Sequence, residues 1–405
     1  MAAAKTIYAA GLDAGSLKTR LVICALERGR LRLLGCSSVE SHGWMKGRIA
    51  NQREVSGCIL AALREGERSA GMSVDSVVVG IGGPTVRGAN ARGAVELGFT
   101  REVEQKDVNR AVDRALKVQV PDDRMVLQLF PQDCVVDGHP GYRDPRKMMA
   151  SQMEINVHLL IGSVQEHHLL VGAVNQAHLT VEETVFEAFG SWYASVPEED
   201  RREGLVVVDI GAHSTELVVY YGESMHLAST VPVSGDHFTR DLAQGLCLGF
   251  DDAERVKLEY GCAVSQNTPA NVLVELPTPE NRELRYAQRK FVNEILEARA
   301  EELFRFVRAE LARVSMEHAL VGGVFLTGGG ARLPDLWDVA ERELQCQAHY
   351  GLVNGIMNWP DSLKDPEWTT AAGLAMYSAK LKAQAEQTRE DAGWLGKILR
   401  ESSGR

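Results

Sequence analysis

Two six-residue segments carry the same chemistry in the same order. Asp13-Ala14-Gly15-Ser16-Leu17-Lys18 and Asp209-Ile210-Gly211-Ala212-His213-Ser214 each set a carboxylate two residues ahead of a glycine and follow it with a hydroxyl. A glycine in a strand-to-strand turn lets backbone N–H groups approach an anion, and such nests bind phosphate. Ser16 and Ser214 add hydroxyl contacts, and Lys18 adds a point charge. Asp13 and Asp209 repel a phosphate directly. They suit holding Mg²⁺ through water, or orienting a water nucleophile. A third loop, Thr327-Gly328-Gly329-Gly330, lets backbone lie flat against a base or ribose ahead of a helix N-terminus. Each loop alone also occurs in ordinary turns, and the inference rests on all three in this order.

The flanking elements repeat as well. Apolar runs Thr6–Leu12, Thr19–Leu26 and Leu31–Ser37 predict a three-stranded meander around the first loop. Leu205–Val208, Thr215–Tyr221 and Met225–Val233, with a turn at Gly222-Glu223-Ser224, predict a second meander around the second loop. Two distant copies of one unit suggest two related lobes that face each other across a hinged cleft. Between them, Thr85 to His167 predicts an inserted α+β subdomain. It has a helix presenting Val108, Ala111, Val112, Ala115 and Leu116, strands Met125–Phe130 and Glu154–Ile161, and a Gly/Pro-rich loop from Asp137 to Pro145. A helix Thr184–Val196 should lead into the second lobe. Helices Phe238–Leu246, Asp251–Glu259 and about Glu283–Val314 follow, then a strand Gly323–Leu326 and a helix from Pro334 to Leu344, with proline in its first turn. Thr369–Lys382 predicts an Ala-rich helix, and 383–390 a polar linker.

The final segment, Asp391–Arg405, differs from the body. At 100° per residue, Trp394, Leu395, Ile398 and Leu399 fall within an arc of about 140°, and Lys397 and Arg400 lie opposite. That pattern fits a short interfacial helix on anionic lipid, or a terminal helix docked on the body. Burying four such side chains is worth at most roughly 6–12 kcal/mol, less the cost of ordering a short helix.

The 405 residues are 45% hydrophobic and 24% charged, the mix of a folded protein. A net charge of -11 argues against nucleic acid as a partner, because phosphate contacts need clustered Lys and Arg. No apolar run reaches bilayer-spanning length, and Met1–Lys5 runs into a strand rather than a signal peptide. Seven scattered cysteines without a C-x-x-C suggest neither zinc nor a disulfide framework, and a reducing compartment. His167-His168 has no partners at ligand spacing. Val79–Gly83 lacks G-x-G-x-x-G spacing and reads as the junction between lobe and insert.

The strings GLDAGSLK (11–18), VVDIGAHST (207–215) and VFLTGGGARLP (324–334) resemble the nucleotide loops of the actin, Hsp70 and sugar-kinase superfamily. VLQLFPQDCVVD (126–137), GYRDPRKMM (141–149), VHLLIG (157–162), DAERVKLEYGCA (252–263) and TTAAGLA (369–375) narrow the resemblance to the FtsA family of actin-like bacterial cell-division proteins, over nearly the whole chain. The resemblance implies an α/β, actin-like two-lobed fold of duplicated RNase H-like domains with an inserted α+β subdomain. It divides the chain into a first-lobe core at 1–84 and 168–203 with 369–382, the insert at 85–167, a second-lobe core at 204–237 and 315–368, an outer second-lobe subdomain at 238–314, a linker at 383–390 and a membrane-targeting helix at 391–405. It implies ATP with Mg²⁺ as a ligand of conformation and polymerisation, hydrolysed slowly if at all. The binding positions would be Gly15–Lys18, Gly211–Ser214, Glu254, Lys257 and Gly328–Gly330.

The resemblance also implies self-assembly into filaments and FtsZ as partner, with Arg289 and Arg299 lining the pocket for its acidic, hydrophobic tail. Later division proteins would bind through the insert. The segment 391–405 would attach the protein to the cytoplasmic face of the cell membrane at the division site. Many relatives have Gly-Gly-Gly-Thr where this chain has Gly211-Ala212-His213-Ser214. The added Cβ atoms are expected to restrict φ and crowd a phosphate, while His213 either donates to phosphate or faces solvent. Two other readings compete: a cytoplasmic scaffold of type IV pilus assembly like PilM, and a superfamily kinase, which would need a general base at the cleft.

Overall fold

A computed structural model of the chain describes residues 6–222, 224–277 and 284–402, with side chains through Gln387. Met1–Lys5, Glu223 of the second turn, Glu283 and residues 403–405 lie outside the described residues.

The first lobe starts with β1 (Ile7–Ala14), β2 (Lys18–Glu27) and β3 (Arg30–Glu40), the expected meander, and short strands β4 (Trp44–Met45) and β5 (Arg48–Ile49). Helix α1 (Gln52–Ala70) follows. The Asn51 side chain accepts the Arg53 and Glu54 N–H groups at its start, and Gly71 ends it at φ 68°. Strand β6 (Ser76–Ile81) leads to the insert: β7 (Arg87–Glu102), α2 (Gln105–Ala115), β8 (Arg124–Val136), β9 (His139–Tyr142) and β10 (Met149–Ser163). The chain returns through α3 (Val164–Gln176), β11 (Thr180–Phe186) and α4 (Glu187–Ser195).

The second lobe repeats the plan with β12 (Leu205–Ile210), β13 (Thr215–Tyr221) and β14 (Ser224–Val231). Next come α5 (Gly235–Leu246), α6 (Phe250–Tyr260), the hairpin β15 (Leu273–Leu276) and β16 (Arg285–Gln288), α7 (Arg289–Ala312), β17 (Gly323–Thr327), α8 (Leu336–Leu344), β18 (Ala348–Tyr350), β19 (Ile356–Met357) and α9 (Thr369–Ser402). The sheet orders are β11-β6-β1-β2-β3-β19 in the first lobe, β14-β13-β12-β17-β18 in the second and β7-β10-β8-β9 in the insert.

Several boundaries differ from expectation, each for a local reason. Thr184–Phe186 belongs to strand β11, paired in parallel with β6, so the helix begins only at Glu187. The expected insert boundary at 167 falls inside α3, whose Leu170, Ala173 and Val174 pack in the first lobe's core. Arg285–Gln288 is the second arm of a hairpin rather than the start of the long helix. Pro334 lies outside α8, because Asp335 takes a left-handed φ of 60°. The segment 383–390 is helical and continuous with α9 instead of a linker. Its Ala, Gln, Glu and Arg residues are strong helix formers, with no Gly or Pro to interrupt them.

Each lobe has its own core, and a third cluster joins them. Phe186, Phe189 and Trp192 of β11 and α4, Tyr220 of β13 and Leu374 of α9 pack together there, with Trp192 stacked on Tyr220 at 4.0 Å. The insert lies against the edge strand β14. The buried His158 ring accepts the Ala228 N–H at 2.9 Å, and Gln132 donates to the Met225 carbonyl at 3.0 Å.

Candidate functional site

The three glycine loops leave the same ends of β1, β12 and β17. Strands β12 and β17 run parallel with Asp209 beside Thr327, so the second and third loops are neighbours. The helices α4 and α9 cross between the lobes and bring the first loop opposite them. In the first loop Gly15 donates its N–H to the buried Asp13 carboxylate. A Cβ on Gly15 would stand 2.8 Å from the Lys18 carbonyl, and one on Gly211 2.9 Å from that of Ser214. Both turns therefore need glycine for closeness, not for a left-handed φ, which neither adopts.

Ala212 and His213 also lie outside the left-handed region, so the expected backbone restriction carries no strain here. The His213 ring turns to Asp236 at the start of α5, with Nε2 3.1 Å from Oδ2. The loop's Gly211 and Ala212 carbonyls accept the Gly235 and Asp236 N–H groups, both at 2.9 Å. Glu254 and Lys257 of α6 pair at 2.6 Å, and Lys257 donates to Thr239 at 2.8 Å and to the Gly235 carbonyl at 3.4 Å. They thus stand one hydrogen-bonded step from the second loop. In the third loop Gly328 has φ 79°, and a Cβ there would lie 2.3 Å from the Asp209 carboxylate. Gly330 approaches Ile210 as closely, whereas Gly329 faces open space.

The lobes also carry a built-in contrast that spacing alone does not announce. In the first meander Asp13 sits in register with Arg20, and in the second Asp209 sits in register with Glu216. The same position thus holds a cation in one lobe and a carboxylate in the other. Glu187, the first residue of α4, completes the set. Glu187 and Glu216 flank Gly82, where an added Cβ would meet both carboxylates. The Glu216 Oε1 accepts the Gly83 N–H at 2.5 Å, while among the described residues its buried Oε2 has no hydrogen bond of ordinary geometry. Asp209 accepts hydroxyl bonds from Ser191 at 2.5 Å and Thr370 at 2.9 Å.

Burial raises all four carboxyls. Asp13 is pushed up to about 7 despite the Arg20 guanidinium, and Glu216 to about 8. Glu187 stands well above the usual range through burial, then Glu216, Asp13 and Asp209, and Asp209 is raised by burial against the bonds from Ser191 and Thr370. Glu187 and Glu216 escaped the sequence reading. The available signal was an acidic residue opposite Asp209 in an otherwise apolar strand.

A stability prediction follows from these shifts. A carboxyl raised in the folded state favours folding at low pH, and that contribution disappears as pH rises through its folded value. In buffer free of divalent cations the Tm should fall as pH rises from about 4, where these carboxyls ionise in the unfolded chain, to about 8, and level off above, since Asp13 is raised from 3.8 to about 7 and Glu216 from 4.5 to about 8. Glu216→Gln should flatten that fall. An equal slope in both proteins would reject the assignment.

The remaining expected positions lie apart from this cleft. Arg289 opens α7 and donates to the Tyr260 carbonyl at 2.9 Å. Arg299 on the same helix makes a two-pronged pair with Asp241 of α5, at 2.6 and 2.8 Å, and also contacts Glu302. The side chains of Trp394, Leu395, Lys397, Ile398, Leu399 and Arg400 lie outside the described residues. Among the described residues no helix is long and apolar enough to cross a membrane, and no three His, Cys, Asp or Glu side chains converge closely enough to hold a metal ion.

Comparison with known proteins agrees with this architecture. Residues 206–373 match the family model for cell division protein FtsA, and residues 83–161 match the SHS2 domain inserted in FtsA. The chain is 30% identical over 368 residues to cell division protein FtsA of Pseudomonas aeruginosa, covering 91% of this chain and 88% of that one. Among solved structures it resembles a PilM-PilN type IV pilus biogenesis complex, with a TM-score of 0.68, 19% identity and coverage of 92% and 98%. It also resembles MreB5 of Spiroplasma citri bound to ADP, with a TM-score of 0.54, 12% identity and coverage of 94% and 98%. These two show the actin-like, two-lobed fold, and the family match, the inserted domain and the Pseudomonas relative together place the chain in the FtsA family of cell-division proteins.

Proposed function

We propose that this chain is an ATP-binding, polymerising adaptor that attaches FtsZ filaments to the inner face of the cell membrane and recruits later division proteins through its insert. The observation that carries this reading is the joint match to the FtsA core, over residues that hold the second and third glycine loops, and to the domain inserted in it. The PilM-like scaffold shares the fold, but the inserted-domain match and the 30% identity favour the division role.

In this reading the first two loops hold the phosphates through Gly15, Ser16, Leu17, Lys18, Gly211, Ala212, His213 and Ser214. Glu254 and Lys257 reach the ribose side, and Gly328, Gly329 and Gly330 lie against the nucleoside. The four carboxyls of the cleft, Asp13 and Glu216 buried and Asp209 and Glu187 half-buried, offer only oxygen donors, which suits Mg²⁺. The orphan Oε2 of Glu216 is one such donor. Asp13 and Asp209 would hold the ion through water, since no three ligands converge on one point among the described residues. The cation supplies charge neutralisation for the nucleotide, and the residues supply orientation and a dry, preorganised floor.

Beside Arg289, the outer subdomain exposes Leu258, Leu273, Tyr286 and Phe291 from α6, β15, β16 and α7. An apolar surface rimmed by arginine fits an acidic, hydrophobic peptide such as the FtsZ tail. Arg289→Glu with Arg299→Glu should abolish binding of that peptide, measured by fluorescence anisotropy. Unchanged affinity would reject the site. The whole reading is tested by co-sedimentation with FtsZ and anionic liposomes, with and without Mg-ATP and with the chain truncated after Lys382. FtsZ should reach the liposomes only with the full-length chain, and equal recovery with both chains would refute the tether.

A further inference from the structure

The segment Asp365–Thr370 touches all three glycine loops at once. The Glu367 carboxylate pairs with Arg20, lies 3.5 Å from Lys18 and 3.8 Å from Arg332. Asp365 pairs with Arg332 at 3.2 Å, and the Pro366 carbonyl accepts the Gly328 N–H at 3.1 Å. The Arg20 guanidinium lies over the Trp368 ring, and Thr370 donates to Asp209. Helix α9 starts at Thr369, so this segment is the head of the helix that ends the described chain. The Glu367 and Arg20 side chains are largely buried, and charge contacts are screened less there than on the surface.

We infer that Glu367 is an internal competitor for the cations of the first loop, setting the affinity of the cleft for nucleotide and coupling nucleotide binding to the head of α9. The inference rests on the nucleotide reading above. Lys18 is the point charge that the first loop offers to phosphate, and Glu367 already occupies one side of its ammonium. A phosphate seated between Gly15 and Lys18 meets a second anion across that ammonium. It must draw Lys18 away from Glu367 or bind against the repulsion of a nearby like charge. Either way the apparent affinity is lowered by the fraction of molecules in which Glu367 holds its cations. Binding in turn loosens the ionic grip on the residues leading into α9. Glu367 is thus a positioning residue that acts through Lys18 and Arg20.

Titration calorimetry of the full-length wild type, Glu367→Gln and Glu367→Asp with Mg-ATP tests this, together with hydrogen exchange of residues 366–372 with and without Mg-ATP. Glu367→Gln should bind about tenfold more tightly than wild type, because it keeps the shape and loses the competing charge. Glu367→Asp, which keeps the charge, should stay close to wild type. Mg-ATP should speed exchange at 366–372 in the wild type, and leave it unchanged in Glu367→Gln. A merely structural role would weaken binding on substitution. Equal or weaker binding by Glu367→Gln, or unchanged or slower exchange in the wild type on binding, overturns the competitor while leaving the nucleotide reading intact. Absence of binding by wild type and variants at millimolar Mg-ATP overturns both.

Discussion

Gly373→Ala should lower the unfolding free energy by about 3 kcal/mol, whereas the same change at Gly57 should raise it by about 0.5–1 kcal/mol. Both glycines sit inside helices, so helix propensity alone favours alanine at either site. The difference lies in what the methyl group meets. On Gly57 it meets nothing within 4 Å. On Gly373 it would sit 1.8 Å from the Gly190 carbonyl oxygen, which belongs to the backbone of α4 and cannot swing aside. Gly11 of β1 makes the opposite contact, where an added Cβ would lie 2.2 Å from the Ala375 N. Helix α9 is therefore held between β1 and α4 at backbone-to-backbone distance. Urea denaturation of the two single variants measures both signs. A loss at Gly373 no larger than at an exposed site would show that α4 and α9 separate readily. Because Asp209 is hydrogen-bonded to Ser191 of α4 and Thr370 of α9, Gly373→Ala should also displace a carboxylate of the cleft.

The parts of this site that were legible in the sequence are those encoded locally. Asp13 to Lys18 and Asp209 to Ser214 are contiguous, follow apolar strands and repeat, so both turns and their facing arrangement could be read directly. Arg20 and Glu216 face Asp13 and Asp209 within their own hairpins, whereas Glu187 and Glu367 join them only when separate segments pack. No spacing rule ties Glu367 to Lys18. Strand β7 was hidden for a different reason. Val95, Leu97 and Phe99 alternate with Glu96, Gly98 and Thr100, but Val95 and Leu97 are its only large buried side chains, and Gly, Ala and charged residues dominate the rest of the sixteen, so the period of two covers only the middle of the strand. The expected backbone restriction at Ala212 and His213 depended on φ values that a motif comparison cannot supply, and neither residue takes a left-handed φ. Continuity of α9 beyond Lys382 was masked by polarity, since the same Gln, Glu and Arg residues serve a solvated linker and an exposed helix equally well.

That continuity bears on the largest functional effect expected. Removing residues 391–405 should reduce liposome flotation of the assembled protein to background while leaving its Tm unchanged. Lys382 grips the first lobe through the Tyr8 carbonyl at 2.9 Å and Glu182 at 2.8 Å. From there the helix runs unbroken to Ser402, which sets Trp394 roughly 18 Å beyond that anchor at 1.5 Å per residue. In the proposed function four apolar side chains and two basic ones would give one copy weak, reversible attachment, with each cation adding about 1 kcal/mol near anionic lipid. In that same proposed function a filament would present many copies at high effective concentration and bind firmly. Flotation should therefore rise steeply with assembly, a response that truncation removes and that scales with the anionic lipid fraction. A Gly-Gly pair replacing Gln384 and Ala385 separates arm from anchor, because it loosens the helix but keeps the apolar face. Flotation of that variant should persist, and FtsZ recovered on liposomes should fall only if a stiff arm is needed to hold the filament at a set height. Equal flotation of the truncated and full-length chains would place the membrane contact elsewhere on the body.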